Sequence, residues 1–434
     1  METPTLRRAV MFFPAFLLAV LPAHLTAQLV NGRFISSISS RQKFDTVDAS
    51  RRITRAYQSV LLDIVQGDIG LHTHLQGAVQ VQKRLDEGPD LRAWHLYGRW
   101  RDIGGAADLS VGRLPFYAGA GSGTLDGALL SLRPGDNAWR VTLYGGANIP
   151  ADLSLNSWRP LRENHLFGAQ VYGTPAPGLR AGLSYVKRHR ERTAYWTLRP
   201  DSLYEPAALY VEPPPDREQI ASGDALYRTD LVVFSGRYDH DLHRNQIQRA
   251  RFSVRAQASD RLTVTGEFLH RSPRISYGSF FEVFAASPVN EFESGMEYLF
   301  RPRLRGFLRG AFVAYNGEES FRATAGFSHD NIRLSYRGST GEAGELHSVA
   351  LQGAFPLLER TLVPGASLSW SRYRTPGAPE HRNTVAASAG AALRPHRMVS
   401  ADVRVQYLTN SIYRSDLRIL GTLSFWFTER LTIL

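Results

Sequence analysis

An all-β chain closing into an antiparallel transmembrane barrel is the fold class this sequence predicts. Three observations carry the expectation. Apolar and polar residues alternate with a period of two in many separate runs, as strand side chains do when they point to opposite faces. Short turns and long polar connections alternate along the chain, the mark of an outer-membrane barrel. No stretch after residue 27 offers the 18 or so consecutive apolar residues that a helical span needs.

The first 27 residues read as an export segment. Arg7 and Arg8 precede the apolar run Ala9–Leu21, Pro22 breaks it, and Leu25-Thr26-Ala27 ends on a small residue suited to cleavage. The run has about 13 residues, too short for a helix to cross a hydrocarbon core of about 30 Å. The expected division is therefore a cleaved signal peptide at 1–27 and a barrel at 28–434, in the outer membrane of a Gram-negative cell.

Individual runs then supply strands. In Ala401–Tyr407 every odd position is apolar and every even one polar. In 416–427, Leu417, Ile419, Leu423, Phe425 and Phe427 share one face, opposite Asp416, Arg418, Thr422 and Ser424. Arg251–Gln257, Leu262–Phe268, Leu179–Tyr185, Phe321–Phe327 and Leu71–Val81 repeat the pattern. Short turns fall at 174–178, 258–261, 329–331 and 394–399, and longer loops at 148–163, 190–217, 271–290, 338–345 and 375–382. With the N-terminus on the short-turn, periplasmic side, the count reaches about 22 strands, an even number; about 16 to 20 fit if some runs fold into loops. Trp94, Trp100, Trp139, Tyr185, Trp370, Tyr407, Phe425 and Phe427 lie near strand ends, where interfacial aromatics belong. A secreted soluble β-fold is the competing architecture, and no fixed 20–50-residue repeat supports it.

Composition narrows the partners. The 434 residues carry a net charge of +11, almost all from arginine, with lysine only at Lys43, Lys83 and Lys187. Such a balance points to anionic partners, yet no run of five basic residues suggests nucleic acid. There is no cysteine, hence no disulfide, thiolate metal site or c-type haem attachment, and no cofactor is expected.

The segment Leu109–Pro115 (LSVGRLP) resembles a strand end found in porin-like barrels, including the alginate-export type, and the glycine-rich 119–127 is similar to the region that follows it. The final strand, around Phe425-Trp426-Phe427, resembles the terminal strand read by barrel-assembly machinery, although this chain ends in Thr432-Ile433-Leu434. The resemblance implies a porin-like channel in contact with outer-membrane lipid and lipopolysaccharide, and fixes no substrate.

No catalytic motif is present: no Gly-x-Ser-x-Gly, no His-Glu-x-x-His and no phosphate loop, so an enzyme is not expected. His72 and His74 share a polar strand face; hairpin geometry places them opposite Trp100–Asp102, with His95 several residues away, and they read as solvated rather than as metal ligands. His240 and His243 read as loop residues. Gly119–Gly127 reads as a flexible extracellular loop. The long connection 190–217, with Pro213-Pro214-Pro215, suits an inward constriction and a surface loop about equally.

Alternation assigns the lumen side. Its expected pore-lining residues are Arg99, Arg101, Arg140, Arg180, Arg251, Arg255, Arg305, Arg309, Arg322, Arg333, Arg404 and Arg418, with Arg337 alongside them. The acids on that side are fewer: Glu267, Glu291, Glu293, Glu297, Asp402 and Asp416. The expectation is a channel for small, anionic solutes. The alternative is a barrel sleeve or platform holding a partner protein in its lumen, such as an electron-conduit cytochrome, with a barrel-borne enzyme last.

Overall fold

The computed structural model describes residues 28–44, 50–80, 91–135, 138–149, 153–155, 160–200, 205–275, 287–341, 344–412 and 414–431. The expected signal peptide at 1–27 and the terminal Thr432-Ile433-Leu434 lie outside the described residues. Among the described residues twenty-four strands follow one another, and 22 of them form one closed antiparallel sheet, matching the count of about 22 expected from alternation.

The first wall segment comprises β1 (Gln28–Phe44), β2 (Ser50–Gln66), β3 (Ile69–Gln80), β4 (Leu91–Ile103), β5 (Ala107–Ala118) and β6 (Gly121–Leu132). It continues through β7 (Trp139–Asn148), β8 (Asn164–Ala176) and β9 (Leu179–Arg190). Two short strands, β10 (Tyr195–Pro200) and β11 (Pro206–Val211), pair only with each other inside the long connection before the wall resumes. The wall then runs through β12 (Asp216–Arg228), β13 (Val232–Asp241), β14 (Gln246–Gln257), β15 (Leu262–Arg271), β16 (Val289–Arg301) and β17 (Leu304–Tyr315). The remaining strands are β18 (Glu318–His329), β19 (Ile332–Gly341), β20 (Glu345–Ala354), β21 (Leu362–Arg374), β22 (Arg382–His396), β23 (Val399–Thr409) and β24 (Asp416–Leu431).

Closure is direct: β1 pairs with β24 from Gln28↔Leu431 to Ser40↔Ile419. A closed sheet leaves no unpaired strand edge, which is the condition for spanning lipid with strands. Connections on the N-terminal side are short, such as Gly67-Asp68, Pro302-Arg303 and Arg397-Met398, whereas 149–163, 191–215 and 272–288 lie on the other. That asymmetry orients the barrel with its short turns toward the periplasm. The extracellular side also has tight turns; Asn316 (φ 53) and Gly317 (φ 81) both adopt the left-handed region that a two-residue hairpin demands. The stretch 338–345, expected as a loop, is mostly strand, because β19 runs to Gly341.

The register fixes the two faces. Val403, Val405 and Tyr407 pair with Gly421, Ile419 and Leu417, and Val399 and Ala401 with Phe425 and Leu423. These side chains form an exposed apolar surface, with Val403 at 54 % and Leu423 at 52 %. Phe292, Phe312 and Phe321 extend it along β16–β18. Exposed apolar area on this scale would be intolerable in water and is what hydrocarbon requires. The molecule is thus a transmembrane barrel of the outer-membrane type. Trp94 departs from the expected belt: the bulge in β4 shifts it, and its ring stacks 5.8 Å from that of His74 on the inner face.

A closed barrel of this kind predicts a simple gel result. Unheated samples should migrate faster than boiled ones, because the barrel resists detergent until heated. A single position insensitive to boiling would contradict closure.

Candidate channel interior

The inner face contains a segment that the sequence reading placed outside the wall. Residues 119–127 are not an extracellular loop: Gly119-Ala120 is the tip of a hairpin whose arms are β5 and β6. Beyond Gly112 and Gly127 this hairpin folds inward and lies against β7, β8, β9, β12 and β13. Leu114, Phe116, Ala118 and Leu125 face the wall and are buried with Tyr144, Leu166, Val186 and Ile220. The Phe116 and Tyr144 rings lie 4.6 Å apart. These wall residues stand on the polar side of their strands, opposite exposed Phe167 and Leu183. An apolar core inside the barrel is therefore made by the chain itself.

Glycine permits the bend. Gly112 has φ +127, and a side chain there would strike the Leu96 carbonyl oxygen at 2.5 Å. Gly127 and Gly146 cross so closely that a Cβ on either would come within 2.6 Å of the other's Cα. The base of the hairpin is held by a buried ion pair. Arg113 donates from Nε to Asp126 Oδ1 (2.7 Å) and from Nη2 to Oδ2 (2.8 Å). Its Nη1 donates to the carbonyls of Ala93, Leu153 and Ser154. Where β5 leaves the wall, Leu153 takes its place against β4, its carbonyl accepting from Ala93 N–H at 3.0 Å.

Polar groups secure the tip. Ala120 N–H donates to Ser184 Oγ (2.8 Å), Arg237 Nη2 to the Gly119 carbonyl (3.1 Å) and Arg188 Nη2 to the Ser122 carbonyl (3.2 Å). Arg237 is held by Asp239, and Arg188 by Glu218, which also binds Arg274. Sequence reasoning missed Arg188, Arg237 and their acids. Alternation in β9 and β13 continued far enough to put them on the inner face, but nothing in the sequence says what they hold.

The expected pore arginines separate into groups. Register places Arg99, Arg140, Arg180, Arg251, Arg255, Arg305, Arg309, Arg322, Arg333, Arg404 and Arg418 on the face opposite the apolar belt, with Arg337. Arg101 falls in the irregular end of β4, beyond the paired register, its N–H bonded to the Asp68 carbonyl. Six have acids: Arg99 with Asp108, Arg251 with Glu267, Arg305 with Glu297, Arg309 with Glu293, Arg322 with Glu291 and Glu293, and Arg418 with Asp416. Arg333 lies 5.0 Å over the Phe307 ring. Arg140, Arg180, Arg255, Arg337 and Arg404 have no carboxylate within ion-pair distance among the described residues.

From β18 to β23 the inner face is rich in hydroxyls. Ser348 accepts from Ser371 at 2.8 Å, and Ser367 and Ser388 are 2.8 Å apart. A concavity of about 390 Å³ there is lined by Phe307, Thr324, Arg333, Ser335, Arg337, Ser348, Ala350 and Gln352.

The histidines also move relative to expectation. His74 stands directly opposite His95, ring centroids 5.3 Å apart, and His72 opposite Tyr97. The two strands are offset from the expected register, with Gly77 opposite Leu91 and a bulge between His74 and Leu75. His72 Nδ1 bonds Asp63 at 2.7 Å. Among the described residues no group of three His, Cys, Asp or Glu could hold a metal ion. His240 is a strand residue of β13, stacked on Tyr238, and only His243 lies in a turn. The 190–217 connection supplies its own β10–β11 pair.

No family model matches the chain, and no curated protein matches it. Several solved barrels are similar in outline. The outer membrane protein opdK from Pseudomonas aeruginosa is 8% identical, with 93% of this chain and 99% of that one covered at a TM-score of 0.44. OccAB4 of Acinetobacter baumannii is 9% identical, covering 94% and 100% at 0.43. The P pilus usher (PapC) translocation pore is 8% identical, covering 92% and 99% at 0.44.

Proposed function

We propose that the barrel is a passive outer-membrane channel for small solutes, with a preference for anions, narrowed by the inward β5–β6 hairpin. One observation carries the charge preference: Arg140, Arg180, Arg255, Arg337 and Arg404 stand on the inner face with no carboxylate at ion-pair distance among the described residues. Low-dielectric walls focus the field of such charges into the lumen, concentrating anions and repelling cations. The paired arginines contribute less, since Glu267, Glu293 and Glu297 offset them locally.

That distinction chooses the test. Purified protein in a planar bilayer under a salt gradient should give a reversal potential favouring chloride over potassium. Selectivity should shrink as salt rises, because the Debye length falls from about 10 Å at 0.1 M to about 3 Å at 1 M. Joint Arg255→Gln, Arg337→Gln and Arg404→Gln replacement should move the potential toward zero with assembly intact. Replacing Arg251, Arg305 and Arg309 would instead uncover acids and push toward cation preference. A wild-type pore that selects potassium would refute the charge argument, and a barrel that inserts without conducting would refute the channel.

A further inference from the structure

The outer wall carries cations where the apolar belt would continue. On β8, β9 and β12 the outward side chains form rows across three hydrogen-bonded strands. The uppermost row is His165, His189 and Arg217; the next is Phe167, Lys187 and Gln219. The rows below are Ala169, Tyr185 and Ala221, then Val171, Leu183 and Gly223. The outward face of these strands thus changes within two rows from apolar to basic, just under the extracellular loops.

The basic rows are arranged around aromatic rings. His165 stacks on His189 at 5.1 Å and on Phe167 at 5.8 Å, and Lys187 Nζ lies 5.6 Å over the Phe167 ring. Strand spacing of about 4.8 Å puts Arg217 within about 10 Å of His165, with Lys187 one row below and between them. No acid stands on the outward face of the three strands. Glu191, just beyond β9, takes His189 Nε2 at 3.1 Å, and Glu163, just before β8, is paired with Arg162. Lys187 and Arg217 have no carboxylate within ion-pair distance among the described residues. A charge facing outward from a transmembrane barrel is costly unless it reaches the headgroup layer and an anion there.

The geometry points to a binding site for a phosphorylated glycolipid headgroup of the outer leaflet, of the lipid A class, on the outer wall of β8–β9–β12. Lys187 and Arg217 would take the phosphate oxygens, and Tyr185, Leu183 and Val171 beneath would carry the acyl chains. Continuity of the cations with an exposed apolar surface selects a lipid over free phosphate: Leu183, two rows below Lys187, is 70 % exposed. The site stands on the barrel's orientation and does not depend on conduction.

The test uses the full-length barrel in detergent micelles with fluorescent bisphosphorylated lipid A as probe. Binding should saturate, and Lys187→Gln with Arg217→Gln should each weaken it about tenfold, the loss of one charge-assisted contact. Lys187→Arg should keep affinity within a few fold. Single-channel conductance of the Gln variants should equal that of the wild type, separating this site from the lumen. Should Lys187→Gln fail to assemble, Arg217→Gln, at the exposed end of β12, carries the measurement. Unchanged binding by the Gln variants would overturn the site. Displacement by inorganic phosphate as effective as by lipid A would overturn the lipid assignment.

Discussion

Replacing Arg113 by methionine is expected to produce the largest loss of stability of any single change in the barrel interior. Arg113 and Asp126 side chains are 5 % and 10 % exposed, and the guanidinium also satisfies three carbonyl groups. Removing one partner strands the carboxylate in a dry site and leaves those carbonyls short of a donor. Breaking a buried pair this way costs about 3–5 kcal/mol. Urea refolding into micelles would register it as a shifted midpoint. The same change should loosen the hairpin at its base, so that its apolar underside no longer stays seated on Tyr144 and Leu166 and conductance rises. Removing both charges, Arg113→Met with Asp126→Leu, should recover most of the stability, because no uncompensated ion remains. Equal losses for the single and double variants would show that the ion pair does not hold the hairpin.

Arginine on the lipid face should have the second largest effect. Val403→Arg places a charge in the apolar belt, where the expected cost near the bilayer midplane is about 2–4 kcal/mol. Its neighbour Arg404 points the other way, opposite Leu420 and beside Gln406, and Arg404→Gln should assemble normally. Folding yields into lipid bilayers measure the contrast. If the two variants assembled equally well, the assignment of inner and outer faces would be wrong around the whole sheet, because the register is continuous from β24 to β1.

That continuity explains why so much was legible beforehand. Period-two alternation is a local property, and in Ala401–Tyr407 or Arg251–Gln257 it states which side chains share a face without any knowledge of neighbours. Once the sheet closes, one strand's faces determine all the others, so the inner placement of Arg140, Arg255 and Arg404 followed from sequence and agrees with the register. The even strand number followed from the alternation of connections.

What sequence could not supply were contacts between strands that are not neighbours in the chain. Gly119–Gly127 is rich in residues that favour turns, and nothing local distinguishes a loop in solvent from a hairpin turned into the lumen. The difference lies in Ser184, Arg188 and Arg237, more than 60 residues away, which receive the tip. Pairing of charges is equally non-local: Arg251 and Arg255 look alike in sequence and both lie diagonal to Glu267, which stands opposite Ser253 on the next strand, yet only Arg251 pairs with it. The sequence by itself determined the barrel architecture and the two faces of its regular strands, because these depend on a local two-residue period. Tertiary structure alone decided where the β5–β6 hairpin packs and which inner charges lack a carboxylate among the described residues, because both depend on where distant strands bring their side chains together.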